Sequence, residues 1–539
     1  MKFKLLLLTA GWLFIANHSS LSAQTKYRNS EQISSSLRSL VAKHKSNASL
    51  KSLTKTLGNK DIWVLTLSNG KPDTNSAIAI VGGVAGNHLL GVELSMKFAE
   101  NILNKHKDIL KKTTFYIFPN MSPDATEQYF RKLKYERQGN ARKTDDDRDG
   151  SINEDGFEDL NNDHIITLMR VADATGDYMP LEEDNRIMVK ANASKGEVGS
   201  YKVFTEGIDN DKDGKYNEDG VGGVSFNKNF SYKFPYFKSG AGEHSVSELE
   251  NRALLDFLYK KWNVHSIFTF GPANNLSSPL KYNAANAKKR VVTSILKKDE
   301  KLNKYISETY NDIVSDENVP KSKAKGGGFF EWSYFHFGRN AMSTPAWWVP
   351  KVEGDSLVEA SDNAKANFLK WAEKEEVANV FVKWTEVKHP GFPNQKVEVG
   401  GIAPFVMSNP PYKMIDSIAI KHTEFLLEIA KIQPQIKLEN LKTESLGSGL
   451  TRITVDLHNN GLLPTHTEMG AKSKWLRKIN VTLKLGKGQQ IISGKGRQVF
   501  GVLDADSSKQ LTWLVKGKGK IQLEAVAPHA GIQKVTINL

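Results

Sequence analysis

The amino-acid sequence predicts an α/β domain with a mixed sheet and flanking helices, followed by a C-terminal β-sandwich. Two observations predict this fold class. Between residues 26 and 434, short apolar runs alternate with segments of helical periodicity. Over roughly the last hundred residues, apolar and polar side chains instead alternate with a period of two, and Asn-Asn-Gly and Gly-Lys-Gly turns separate the runs. We therefore place the domains at 24–434 and 435–539, with the boundary near Pro434.

The elements of the first domain follow from the same patterns. Short apolar runs predict buried strands at residues 76–82, 114–119 and 266–270. An apolar stripe that recurs every three to four residues predicts a helix over residues 89–103. A second helix is predicted over residues 247–261, because Ser247 and Glu250 have the spacing of a capping box.

The first residues predict export. Two lysines precede an apolar run over residues 5–16, which is too short to span a bilayer, so residues 1–23 are predicted to be a secretory signal peptide. The protein is then expected in the periplasm or outside the cell. No later run approaches the length of about eighteen apolar residues that predicts a membrane-spanning helix, so no such helix is expected.

Composition excludes several function classes. The chain has 539 residues, a formal net charge of +14 and no cysteine. The lack of cysteine excludes disulfides and a thiol nucleophile. The lysines are scattered and no nucleic-acid-binding motif accompanies them, so we expect no nucleic-acid partner. The charge instead predicts a basic surface that attracts anionic partners.

Two acidic loops repeat one pattern within an insertion at about residues 140–222. Residues 145–156 (DDDRDGSINEDG) and 209–220 (DNDKDGKYNEDG) share Asp at the first, third and fifth positions, Gly at the sixth, and a final Asn-Glu-Asp-Gly. A shorter third copy begins at Asp159. Carboxylates on alternate residues of a loop that turns at glycine converge on one point, as in calcium sites. The predicted calcium ligands are Asp145, Asp147, Asp149, Asn153, Asp155, Asp159, Asn161, Asp163, Asp209, Asp211, Asp213, Asn217 and Asp219.

These loops differ from an EF-hand at one position. The twelfth residue of an EF-hand loop is a bidentate glutamate, whereas Gly156 and Gly220 stand there in this chain. The alternative interpretation is a solvated acidic loop without a cation. Crowded carboxylates would repel one another in such a loop. We therefore expect calcium as a structural cofactor in a chain that has no disulfides to stabilise it.

Five segments of the first domain occur in an order and spacing typical of one enzyme family. They are residues 82–88 (GGVAGNH), 119–124 (PNMSPD), 224–230 (VSFNKNF), 247–250 (SELE) and 331–334 (EWSY). Together they resemble the zinc carboxypeptidases, the M14 metallopeptidase family, over about residues 78–434. The resemblance implies a carboxypeptidase-like mixed sheet with flanking helices. In an active member it also implies zinc-dependent removal of C-terminal amino acids.

The same resemblance indicates a divergent zinc site. The family's H-x-x-E ligand pair falls on Ala85 and His88, and its distant histidine ligand falls on Gly271. Catalytic zinc needs three protein ligands and an open position, and neither alanine nor glycine has a ligating side chain. The family's catalytic glutamate is expected near residues 344–346, where no carboxylate occurs. We therefore predict a member that lacks the zinc ligands.

Other residues implied by the resemblance concern substrate binding. The predicted substrate-binding residues are Asn227 and Lys228, which would hold the C-terminal carboxylate of a peptide, and Tyr334, which would either line the cleft or belong to the core. Lys228 stands where the family has an arginine, so it would act as a point charge and not as a two-pronged donor. Three further aromatic residues are expected either to line the cleft or to belong to the core: Trp332, Trp347 and Trp348.

Glu398 is an isolated carboxylate within an apolar, strand-like segment at residues 397–401. It is a candidate for a displaced catalytic group. The alternative is that it pairs with a nearby lysine or arginine in the protein interior.

Three functions are compatible with these observations. The first is a non-catalytic carboxypeptidase-like protein that binds peptides or cell-wall peptides in its cleft. The second is an active metallocarboxypeptidase with rearranged zinc ligands. The third is a calcium-stabilised surface or adhesion module. The missing ligands favour the first.

Overall fold

The computed structural model describes residues 26–146, 148–314, 319–320, 326–352, 361–473 and 475–539. The predicted signal peptide and one predicted calcium ligand, Asp147, lie outside these ranges. Among the described residues, no helix combines the length and the apolar character that crossing a membrane requires.

Twelve strands and nine α-helices form the first domain within the described ranges. The strands are β1 (Ala48–Lys55), β2 (Asp61–Leu67), β3 (Ser76–Val81), β4 (Thr113–Phe118), β5 (Leu168–Ala172), β6 (Tyr178–Leu181), β7 (Asp184–Lys190), β8 (Tyr201–Thr205), β9 (Val264–Phe270), β10 (Asn340–Thr344), β11 (Phe381–Val387) and β12 (Val397–Ile402). The helices are α1 (Ser30–Lys43), α2 (Leu89–Lys105), α3 (Pro123–Thr126), α4 (Leu249–Lys260), α5 (Ala284–Lys288), α6 (Lys297–Val314), α7 (Phe329–Phe335), α8 (Ala364–Lys374) and α9 (Ile415–Lys431).

A mixed sheet of six strands, in the order β1-β2-β4-β3-β9-β10, lies at the centre of this domain. Strands β4, β3, β9 and β10 are parallel, whereas β1 and β2 join the edge in antiparallel pairs. Every residue of β3, β4 and β9 is buried. Burial on both faces explains why these strands are continuous apolar runs in the sequence. The combination of parallel and antiparallel pairs confirms the predicted mixed sheet.

Helices cover both faces of the mixed sheet. Alternate residues of β3 point to opposite sides, so Ile78 packs with residues of α2, α6 and α9, whereas Ala79 packs with residues of α4 and α7. The second predicted helix begins at Leu249. The predicted capping box is wrong, because the Ser247 hydroxyl donates to the Glu248 carboxylate instead of accepting from the helix.

The acidic insertion forms a second sheet, which the sequence patterns did not predict. Its strand order is β11-β12-β5-β8-β6-β7, so strands from the insertion pair with a hairpin that lies far along the chain. Its small core contains Met169, Val171, Val397 and Val399. The insertion therefore contributes four strands to a sheet with its own small core, in addition to the acidic loops.

The C-terminal domain consists of two antiparallel four-stranded sheets. Its strands are β13 (Ile436–Gly447), β14 (Leu450–Asn459), β15 (Ile479–Lys484), β16 (Gln490–Ser493), β17 (Arg497–Phe500), β18 (Ser507–Lys516), β19 (Lys520–Ala527) and β20 (Gly531–Asn538), with a short helix α10 (Glu468–Ser473). The sheet orders are β13-β14-β18-β16 and β17-β15-β19-β20. Residues from both sheets, such as Trp513 and Leu523, share one core. The predicted β-sandwich is confirmed.

Charged and titratable side chains are buried where the two domains meet. Arg339 is buried and donates to two backbone carbonyls. The positive charge of Arg339 interacts with His265 of the first domain and with His466 and His529 of the second. Burial, together with this positive charge, lowers the pKa of His265 and of His466 to about 4. The Nε2 atom of His265 donates to the Pro464 carbonyl at 2.9 Å, which ties the domains together.

Candidate functional site

A cavity of about 670 Å³ opens at the carboxyl ends of the parallel strands β3, β9 and β10. The loops that follow these strands converge there, because parallel strands end at the same edge of a sheet. The cavity is lined by Val84, Ala85, Asn87, His88, Gln138, Ser225, Asn227, Lys228, Gly271, Pro272, Val319, Pro320, Pro345, Trp347, Trp348, Val349, Ala364, Asn367, Met407 and Ser408. We refer to it as the cleft.

The three positions that the resemblance assigns to zinc come together on this cleft. Ala85 and His88 precede α2, and Gly271 follows β9. The His88 imidazole is buried, and its Nε2 atom donates to the Pro345 carbonyl at 3.1 Å. Burial lowers the pKa of His88 to about 4, so this ring is neutral at physiological pH.

The residues at these positions do not fit zinc. His88 is the one imidazole on the cleft wall, and the described lining contains no carboxylate. A side chain at position 271 would also collide with the wall, since a Cβ atom there would lie 2.5 Å from Cγ2 of Val84. Elsewhere in the described part of the chain, the one group of three converging potential ligands is Asp209, Asp211 and Asp213, which lies in the acidic insertion.

Two of the three predicted substrate-binding residues line the cleft. Asn227 accepts the Phe329 N–H at Oδ1, which fixes its side chain. Lys228 is exposed, and its ammonium donates to the Ser239 carbonyl at 3.1 Å. Gly327 packs closely against the backbone of this segment, and only glycine fits there, because a Cβ atom would lie 2.2 Å from the Lys228 carbonyl oxygen.

The predicted aromatic residues divide between the cleft and the core. Trp347 and Trp348 line the cleft. Tyr334 does not: it is buried, and its hydroxyl donates to Asp299 at 2.8 Å. Trp332 is packed in the core between the mixed sheet and helices α4 and α7, together with Ala79 and Leu254. Their shared helix, α7, turns these two side chains inward, which the spacing of the motif alone did not reveal.

Several polar groups on the cleft were missed by sequence reasoning. Asn367, on α8, is buried, and its Nδ2 atom donates to the Pro350 carbonyl. Its Oδ1 atom is buried without a hydrogen-bond donor among the described residues. Gln138 accepts the Gly86 N–H at 3.1 Å. Neither residue belongs to a recognisable motif, so only the tertiary structure identifies them.

Glu398 lies on the second sheet and not on the cleft. Its carboxylate pairs with Arg170 at 2.9 Å and with Lys396 at 3.0 Å. These two cations hold the pKa of Glu398 below its ordinary value despite the opposing effect of burial. The side chain therefore has a structural partner on each side, as the alternative interpretation expects.

The first two acidic loops share one backbone conformation. Positive φ angles occur at the fourth, sixth and ninth positions of each: Arg148, Gly150 and Asn153 in the first loop, and Lys212, Gly214 and Asn217 in the second. The first aspartate of each loop accepts the N–H of the glycine at position six, from Gly150 to Asp145 and from Gly214 to Asp209. A left-handed conformation favours glycine and asparagine, which occupy the sixth and ninth positions in both loops, and this explains the regularity of the sequence repeat there.

The third copy adopts the same turn. Asn162 and His164, at its fourth and sixth positions, have positive φ angles. The buried carboxylate of Glu206 accepts the N–H groups of Leu160 and Thr167, which are the second and ninth residues of this copy. The third copy is therefore a complete loop, closed by a glutamate that the sequence did not connect with it.

Carboxylates crowd together in the second loop. Oxygen atoms of Asp209, Asp211 and Asp213 lie within 4.8 Å of one another. Burial and the neighbouring Asp155 and Asp213 raise the pKa of Glu218 to about 7. Both carboxylate oxygens of Glu218 are buried without a donor among the described residues. Such an arrangement can take up a hard cation that prefers oxygen ligands.

Comparison with known families matches each domain to a different one. Residues 33–349 match the family described as zinc carboxypeptidase, and residues 435–538 match a family described as a domain of unknown function. Among curated proteins, carboxypeptidase D of Rattus norvegicus is 30% identical over 152 residues, which cover 26% of this chain and 11% of that protein. Carboxypeptidase D of Mus musculus is 29% identical over 21% of this chain and 9% of its own length. The chain thus spans about a tenth of the curated relatives that it matches.

Comparison with solved structures also gives matches. Thrombin activatable fibrinolysis inhibitor gives a TM-score of 0.40 at 12% identity, covering 76% of this chain and 78% of that one. Carboxypeptidase A of Helicoverpa armigera gives 0.38 at 14% identity, covering 65% of this chain and 72% of that one. At such low scores the similarity carries no functional information.

Proposed function

Since the chain belongs to the zinc carboxypeptidase family, we propose that its cleft binds the C-terminal ends of peptides and does not hydrolyse them. One observation carries this proposal: Asn227 and Lys228 lie on the same cavity as Ala85, His88 and Gly271. The cleft therefore has hydrogen-bond donors that can bind a carboxylate, but it lacks the three side chains that would bind a catalytic zinc ion.

Carboxylate binding is supported by the donors that Asn227 and Lys228 still offer. Lys228 uses one of its three N–H donors on the Ser239 carbonyl and is exposed to solvent. Asn227 uses its oxygen on a backbone N–H, which directs its amide nitrogen elsewhere as a donor. No acidic side chain occurs in the described lining of the cleft to repel an anion. Hydrogen bonds between charged groups are stronger than neutral ones.

The remainder of the cleft suits the body of a peptide. Trp347 and Trp348 provide apolar walls, and Asn367 adds a polar side chain to the lining. The partner class is therefore peptides or cell-wall peptides with a free C-terminal carboxylate. The predicted signal peptide supports a site of action in the periplasm or outside the cell.

Titration with short peptides tests the proposal, with intrinsic tryptophan fluorescence, to which Trp347 and Trp348 on the cleft contribute, as the signal. A peptide acid should bind at least about tenfold more tightly than its C-terminal amide, because a charged hydrogen bond is worth about 1.5–3 kcal/mol. Lys228→Gln should remove this preference. Lys238→Gln is the matched control, because Lys238 is also exposed but does not line the cleft. Equal affinity for the acid and the amide would refute carboxylate recognition.

Calcium is proposed as a structural cofactor of the acidic loops. The convergence of Asp209, Asp211 and Asp213 supports it, as does the lack of donors around Glu218. The repeated backbone conformation supports it further, because the first two loops share the positive φ angles that accompany the converging carboxylates of the second loop. In this proposal calcium stabilises the second sheet and has no part in peptide binding.

A further inference from the structure

Positive charge is concentrated in the C-terminal domain. Residues 435–539 contain 16 Lys and Arg residues but only 7 Asp and Glu residues. Their excess of 9 is most of the net charge of +14, although the domain is only about a fifth of the chain. Neither the proposed peptide binding nor the proposed calcium binding involves this excess of positive charge, so the excess needs a separate explanation.

Four of these lysines lie together at one end of the sandwich. Lys516, Lys518 and Lys520 flank the turn between β18 and β19, and Lys487 lies in the turn between β15 and β16. The two turns are in contact, because the Gln489 side chain donates to the Lys518 carbonyl at 3.0 Å. We call these four residues the lysine tip.

The lysine tip is not neutralised within the protein. All four side chains are exposed, and none forms an ion pair with a described carboxylate. The acidic Glu524 on the adjacent β19 is already paired with two other lysines, Lys484 and Lys534. A cluster of exposed like charges raises the local potential and attracts a polyanion.

Exposed aliphatic side chains accompany the lysine tip. Leu446, at the end of β13, is 41% exposed, and Ile492, in a bulge of the edge strand β16, is 48% exposed. Strand register brings both near the lysine tip. Lys516 pairs with Leu450 on one side and with Gln490 on the other. Leu450 pairs in turn with the residue after Leu446, and Ile492 is two residues after Gln490. Lysines beside exposed aliphatic groups suit the boundary between lipid headgroups and acyl chains.

We propose that the lysine tip docks the protein on a membrane surface that contains anionic lipid. The proposal is independent of peptide binding in the cleft. Lysines attract the phosphate-bearing headgroups, and Leu446 and Ile492 enter the interface beneath them. The apolar pair favours a lipid surface over a soluble polyanion, which offers no apolar phase. Both turns are short and cross from one sheet of the sandwich to the other, so the four lysines lie at the same end of the domain and reach one surface at the same time.

Vesicle co-sedimentation of the full chain tests this docking. Wild type should bind vesicles of mixed phosphatidylglycerol and phosphatidylcholine and should not bind vesicles of phosphatidylcholine alone. The triple variant Lys487→Gln, Lys516→Gln, Lys518→Gln should bind about 100-fold more weakly, because each lysine near an anionic surface contributes about a fivefold gain. Raising salt from about 0.1 to 1 M should also weaken binding, since the screening length falls from about 10 to 3 Å.

A control variant separates local charge from total charge. Lys289→Gln, Lys301→Gln, Lys374→Gln removes the same number of positive charges at exposed sites outside the C-terminal domain, and it should bind as wild type does. Leu446→Ser with Ile492→Ser should lower vesicle binding while leaving its salt dependence intact. Equal binding by the two triple variants would overturn the proposal. So would binding to a nucleic acid or a phosphorylated polysaccharide without any binding to the anionic vesicles.

Discussion

Asp155 and Asp219 brace each other's loops. Asp155, from the first acidic loop, accepts the N–H groups of Asn210 and Asn217 in the second. Asp219, from the second loop, accepts the N–H groups of the corresponding residues in the first, at positions 146 and 153. Both aspartates are fully buried, and their backbones form a β-bridge. The repeat in the sequence is therefore a symmetric pair in space.

We predict that Asp155→Asn and Asp219→Asn each lower the free energy of unfolding by about 1–3 kcal/mol. An asparagine can accept one of the two N–H groups with its oxygen, but its amide nitrogen faces the other and leaves a buried donor unsatisfied. Urea denaturation monitored by tryptophan fluorescence measures the loss. Asp108→Asn is the control, because that side chain is 92% exposed, and it should change stability little. If both buried variants matched this control, the brace would have no energetic role.

Calcium should raise the melting temperature, because a ligand that binds only the folded state stabilises it. At a concentration about 100 times its dissociation constant, the gain is about 3 kcal/mol. Asp211→Ala, combined with Asp147→Ala at the same position of the first loop, should abolish this gain. Asp211 is exposed, so its loss should matter little without calcium. The measurement is thermal unfolding with chelator and with excess calcium. Identical melting temperatures for wild type in both would contradict the calcium proposal.

We predict that the protein does not release C-terminal amino acids from peptides even when zinc is added. Without a ligated metal there is no activated water and no Lewis acid to polarise the scissile carbonyl. The described cleft also offers no carboxylate as a general base. Product release from a panel of peptides, with and without zinc, is the measurement. Zinc-dependent turnover that disappears with chelator and in His88→Ala would show that the site is active.

Acid should weaken the contact between the two domains. The pKa of His265 and of His466 is about 4 in the folded protein, against about 6.5 in an unfolded chain. The folded pKa is depressed, so the stability that each contributes is complete above about pH 6.5 and is lost as pH falls toward 4. Each histidine changes the free energy of unfolding by up to about 1.4 kcal/mol per pH unit in this window.

The His265→Gln variant isolates this effect, because other titrating groups remain in place. Its urea midpoint should fall less between pH 7 and 5 than that of wild type. The same substitution at the exposed His106 should leave the pH dependence unchanged. A pH dependence in His265→Gln as steep as in wild type would show that this histidine does not report the acid sensitivity of the interface.

The sequence alone determined the features that repeat or that have a strong period. Buried parallel strands are continuous apolar runs, and a sandwich alternates with a period of two, so both domains could be predicted. Ala85, His88 and Gly271 could be placed together because each follows a motif of fixed order. The acidic repeat was equally visible, since left-handed turns restrict the residues that can occupy them.

Only the tertiary structure decided which side chains face the cleft and which pair across the chain. Tyr334 belongs to a motif yet turns into the core, whereas Asn367 belongs to none and lines the cleft. The pairing of Glu398 with Arg170 depends on a sheet whose strands are separated by more than two hundred residues. Local periodicity records how one segment is buried. It does not record which distant segment covers it, because long-range packing combines the shapes and charges of both.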